Sequence, residues 1–69
     1  MKNRVRELRE KAGLTQASLA KLTGVSRQAI HAIETGRYDP SIWLAYALSK
    51  AFGIPIEGVF IFGEREEND

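Results

Sequence analysis

From Val5 to Leu48 the apolar residues recur three and four positions apart, the spacing that places side chains on one face of an α-helix. No alternating strand pattern occurs before residue 59, so the body reads as all-α. The first helix is predicted over residues 4–12, with Val5, Leu8 and Ala12 on one stripe and Gly13 as a left-handed stop. Thr15 caps a second helix over residues 16–23 that faces inward through Leu19 and Ala20, and Gly24 ends it. Ser26 caps a third over residues 27–35, with Ile30 and Ile33 inward and Gly36 closing it. Ser41 caps a fourth over residues 42–52, with Ile42, Ala45 and Leu48 on one face and Trp43, Tyr46 and Ala47 on another. Pro55 then permits a short fifth helix through Phe60. The run Val59-Phe60-Ile61-Phe62 is β-branched and aromatic, which suits a short two-stranded β pairing of the C-terminal segment with residues 1–5. Residues 64–69 form an acidic tail.

Residues 16–35, QASLAKLTGVSRQAIHAIET, work as a unit. Thr23-Gly24-Val25 is too short a turn for the two flanking helices to lie antiparallel, so they must cross steeply. Ala20 is small enough for the close approach, and Gly24 accepts the positive φ of the turn. Val25, Ile30 and Ile33 lock the second helix onto the first, leaving Arg27, Gln28, His31 and Ala32 outward. Arginine suits guanine, glutamine suits adenine and a methyl suits thymine, all on major-groove edges. Thr15 and Ser26 place hydroxyls and helix-start N–H groups where phosphates bind.

Charge supports a polyanionic partner. The net charge is only +1, yet residues 1–50 carry +5 and residues 51–69 carry −4. At 69 residues and 7.7 kDa the chain has room for one small domain, taken as residues 1–69. The absence of cysteine removes disulfides, thiol catalysis and cysteine-held zinc. No apolar run approaches the roughly 20 residues of a membrane span, and the start MKNRVRELRE lacks the apolar centre of a signal peptide. A cytoplasmic protein, associated with the nucleoid through DNA, is the expectation.

Catalysis finds no support. Ser26 and His31 are five apart on one helix and do not face each other, and the six glycines make neither a P-loop nor a dinucleotide fingerprint. His31 is the only histidine, so no metal site is expected; nor is a cofactor or a small-molecule ligand. Arg9 shares the stripe of Val5 and Leu8, and Glu34 follows Ile30 and Ile33, so both charges fall on core-facing sides and suit each other as a pair.

The segments LREKAGLTQASLA, GVSRQAIHAIETG and YDPS resemble the Cro/repressor-type (XRE-like) helix-turn-helix transcriptional regulators over about residues 3–60. The resemblance implies a fold of five short helices like that of lambda repressor, and double-stranded DNA as the partner. It implies phosphate contacts from Thr15, Gln16 and Ser26, bracing of Gln28 by Gln16, and base contacts from Arg27, Gln28, His31 and Ala32. Arg37, Tyr38 and Trp43 would follow the DNA backbone, and the family supports the Arg9 to Glu34 pair.

The chain departs from the family at Thr23, where Leu is frequent, at Ala32, where a polar residue is frequent, and at the unusually apolar residues 43–47, which suggest a second buried face. The leading expectation is a repressor that occupies a palindromic operator as a homodimer joined through Ile61, Phe62, Trp43 and Tyr46. An antitoxin that binds both DNA and a toxin, and an adaptor that uses the same fold to bind protein, are the other two classes that the residues permit.

Overall fold

A computed structural model describes residues 1–63; the acidic tail at 64–69 lies outside the described residues. Five helices follow one another: α1 (Val5–Lys11), α2 (Gln16–Thr23), α3 (Arg27–Glu34), α4 (Ile42–Phe52) and α5 (Ile56–Val59). Hydroxyl caps start the three central ones. Thr15, Ser26 and Ser41 accept hydrogen bonds from the backbone N–H groups of Ser18, Ala29 and Leu44, satisfying donors that a helix start leaves unpaired. Gly24, at φ 75°, turns the chain out of α2 in the left-handed region, and Val25 follows as part of the core's margin.

Val5, Leu19, Ile30, Ile33, Leu48, Val59 and Phe60 are fully buried, and Ala20, Leu44 and Ala45 complete the core. The core therefore draws on all five helices, and α2 and α3 reach each other most extensively. Thr23 keeps a half-buried place by donating its hydroxyl to the carbonyls of Leu19 and Ala20, at 2.9 and 3.3 Å. Among the described residues no helix is long and apolar enough to cross a membrane.

Three local expectations need correction. Ala12 is exposed, because α1 stops at Lys11 and Ala12 caps its C-terminus instead of extending the Val5 and Leu8 stripe. Ile42 is 74% exposed, since it sits in the first turn of α4 where the helix overhangs the core; Leu44 is buried in its place. Helix α4 consequently has one buried face, Leu44, Ala45 and Leu48, while Trp43 and Tyr46 point to solvent.

The β pairing is reduced to an isolated antiparallel bridge between Asn3 and Phe60. Arg4 N–H donates to Val59 O at 2.8 Å and Ile61 N–H to Lys2 O at 3.0 Å. Helix α1 begins at Val5 and α5 ends at Val59, so each side has too few extended residues for a strand.

Asn3 carries more than its place in the sequence suggests. Its Oδ1 accepts the N–H of Val5 at 3.0 Å, and its Nδ2 donates to Ile33 O at 2.8 Å and to Met1 O at 3.1 Å. The Met1 ammonium donates to Gly36 O at 3.0 Å and lies 3.3 Å from Asp39 Oδ1. The Asn3 amide thus meets a last-turn carbonyl of α3, and the Met1 ammonium meets the turn just beyond it, near the end of a helix that favours cations.

Candidate nucleic-acid interface

The site rests on a charged pair beneath α3. Arg9 Nε donates to Glu34 Oε2 at 2.6 Å and Arg9 Nη2 to Glu34 Oε1 at 3.3 Å, a two-pronged contact between planar groups. Arg9 Nη1 also donates to Leu14 O at 2.9 Å. The side chains are only 12% and 4% exposed, so α1 grips the last turn of α3 out of reach of most solvent. The hydrogen bond and charge of Glu34 raise the pKa of Arg9 above its ordinary value, against the opposing effect of burial.

Gln16 extends this pair outward. Its Nε2 donates to Glu34 Oε1 at 3.0 Å and stands 3.4 Å from His31 Nδ1. The bracing of Gln28 by Gln16 that the resemblance implies is absent: the amide turns to Glu34, whose anionic carboxylate is the stronger acceptor.

Above this base, Gln16, Arg27, Gln28, His31, Ala32 and Arg37 line one open groove. Arg27, Gln28 and His31 are exposed, while Ala32 is half-buried and offers a methyl at the groove floor. Helix α3 positions four of the six, held by Ile30 and Ile33 on its opposite face. Arg37 enters from the loop that the Met1 ammonium anchors at Gly36 and Asp39.

Of the residues expected along a DNA backbone, Thr15, Ser26, Arg37, Tyr38 and Trp43 are exposed and Gln16 is half-buried. The Thr15 hydroxyl both donates to and accepts from Ser18, and the Ser26 oxygen accepts the N–H of Ala29, so both serve the helix caps, while the Ser26 O–H and the first-turn N–H groups are left as anion-facing donors. Tyr38 and Trp43 are 50% and 77% exposed and stand outside the groove walls. Of the residues named for a dimer, Tyr46 borders a separate depression with Leu22, Ala47, Lys50 and Ala51, and Phe62 is about half exposed. Leu22, 65% exposed, is an apolar surface residue that the periodicity did not single out.

A helix-turn-helix family model matches residues 5–59, most of the chain and all of the elements that build the groove. The chain belongs to the XRE-type helix-turn-helix family. This helix-turn-helix protein is 52% identical over 66 residues to a transcriptional regulator of the helix-turn-helix type from Methanocaldococcus jannaschii, covering 96% of this chain and 100% of that one. It is 48% identical over 60 residues to the regulator YgzD of Bacillus subtilis, covering 87% and 91% of the two chains.

Among solved structures, the P22 c2 repressor in complex with a synthetic operator aligns with a TM-score of 0.76 at 37% identity, covering 78% of this chain and 82% of that one. The restriction-modification controller protein C.AhdI of Aeromonas hydrophila aligns with a TM-score of 0.74 at 34% identity, covering 80% and 83%. The family and fold are those of DNA-binding regulators and not of enzymes.

Proposed function

We propose that the protein is a sequence-specific regulator of double-stranded DNA in the cytoplasm, and that it represses by occupying a palindromic operator as a homodimer. The observation that carries this reading is the single groove in which Arg27, Gln28, His31, Ala32, Gln16 and Arg37 stand together on the outer side of α3. Helix α3 enters the major groove. Arg27, Gln28 and His31 meet base edges and Ala32 meets a thymine methyl. The starts of α2 and α3 at Thr15, Gln16 and Ser26, with Arg37, Tyr38 and Trp43, follow the phosphates and fix the register.

Selection of bound duplexes from a random pool, followed by titration at several salt concentrations, tests this. The expected result is a defined palindrome and an affinity that falls linearly on a log–log plot as salt rises. Absence of any enriched sequence overturns it.

Gln28→Ala is expected to cost about 1 to 3 kcal/mol on the selected site and to relax one base position. Arg37→Ala should weaken all sites alike and flatten the salt dependence. An unchanged selected site with Gln28→Ala would remove that residue from base reading.

The dimer is supported by apolar surface that the monomer leaves in solvent: Phe62, beyond the closure at Phe60, and Trp43 and Tyr46 on α4. Two-fold pairing would set two α3 helices about 34 Å apart, one turn of the duplex. Sedimentation at micromolar concentration should give twice the chain mass, and Phe62→Glu should shift it toward monomer and lower operator affinity. A monomeric wild type whose DNA affinity Phe62→Glu leaves unchanged sinks the dimer.

A further inference from the structure

We infer that Glu34 is a positioning residue for base reading: through Gln16 it fixes the ring of His31 so that His31 presents an Nε2–H donor to the DNA. This inference rests on the reading of α3 as the recognition helix and deepens it.

A carboxylate only accepts hydrogen bonds, and both oxygens of Glu34 already accept from the two prongs of Arg9 in a site that is nearly closed to solvent. Glu34 Oε1 therefore faces the amide nitrogen of Gln16 and never its oxygen, which decides which way round that amide sits. The same nitrogen points at His31 Nδ1 from 3.4 Å. An amide nitrogen has no lone pair to offer, so Nδ1 must be the acceptor, and the single proton of a neutral imidazole then resides on Nε2.

That is the ring nitrogen Gln16 leaves free, on a residue that is exposed and lines the groove with Arg27 and Gln28. Charged groups of both signs surround the ring: Arg6 and Arg9 from α1 and Glu34 from α3 on one side, Arg27 and Arg37 on the other. A donor at that place suits guanine N7 or O6, adenine N7 or thymine O4, and it opposes the N4 amine of cytosine. His31 thus discriminates against cytosine on the strand it faces, and Gln16 and Glu34 set that preference from behind.

The chain has one histidine, so a sample labelled with ¹⁵N-histidine reports a single ring. In the free protein above pH 8, the ring nitrogens should show a protonated Nε2 and a bare Nδ1, and Gln16→Met should move the tautomer ratio. A protonated Nδ1, or a ratio that Gln16→Met leaves unaltered, overturns the inference. In the selection experiment, one position of each half-site should disfavour cytosine by about tenfold. Both Gln16→Met and His31→Ala should abolish that bias while the positions read by Arg27 and Gln28 keep theirs.

A Gln16→Met protein that binds more weakly on every site with the cytosine bias intact has lost only a backbone contact, and that result also overturns the inference. Failure to select any site would count against the DNA reading itself, while the ring measurement, made without DNA, would still decide the tautomer.

Discussion

Replacing Glu34 with alanine is expected to remove about 3 to 5 kcal/mol of stability, because it strands the Arg9 guanidinium in a place with little water. The guanidinium is 12% exposed, and an arginine side chain stays protonated in proteins even without a partner, so it cannot escape by losing its proton. Its remaining hydrogen bond to Leu14 O satisfies one nitrogen only. For a domain of this length, at roughly 0.05 to 0.15 kcal/mol per residue, the expected loss is between about a third and the whole of its stability.

Urea unfolding of Arg9→Ala, Glu34→Ala and the double variant checks the point. The double variant should lose much less than the sum of the singles, and replacing both residues by leucine or methionine should cost less than either single change. Near-zero coupling would show that the two charges act independently. A loss of only about 1 kcal/mol from Glu34→Ala would mark an exposed pair of little consequence.

Phe60→Ala is the second large effect, at about 3 to 5 kcal/mol. Phe60 is the largest fully buried side chain, 1% exposed, and its backbone forms the bridge to Asn3. Truncation therefore opens a cavity at the point where the segment before α1 meets the end of α5. Phe62→Ala, two residues on and about half exposed, should leave the thermal midpoint of the monomer nearly unchanged. A Phe60→Ala protein as stable as Phe62→Ala would mean that the closure contributes little to the fold.

The helices were legible because their signals are local. Ser26 three residues before Ala29, and Ser41 three before Leu44, announce caps that depend on no distant residue, and Gly24 and Gly53 announce the stops in the same way. The groove residues were legible from one helical face, since Ile30 and Ile33 inward leave Arg27, Gln28 and His31 outward.

What is not legible in the sequence depends on partners far along the chain or on where a helix overhangs the core. Asn3 reads as an ordinary polar residue until Ile33, thirty positions on, brings a carbonyl to it. Ile42 fits the apolar period of α4 and is still exposed, because periodicity assigns a face but not whether the core extends beneath the first turn. The family resemblance pairs Gln16 with Gln28, whereas the carboxylate of Glu34, drawn close by Arg9, is the acceptor that it meets.

The bridge between Asn3 and Phe60 makes the chain a ring as well as a string of helices. Each doubling of a loop's length adds only about 0.6 kcal/mol to the entropy of closing it, so joining residues 3 and 60 costs about 2 kcal/mol more than closing a loop one-eighth as long. The two backbone hydrogen bonds beside the bridge and the buried ring of Phe60 outweigh that difference. In a ring, one cut does not release a piece: were the backbone severed in the loop between α3 and α4, Val59, Phe60 and Asn3 would still hold the two fragments together, with α3 clasped between α1 and α2.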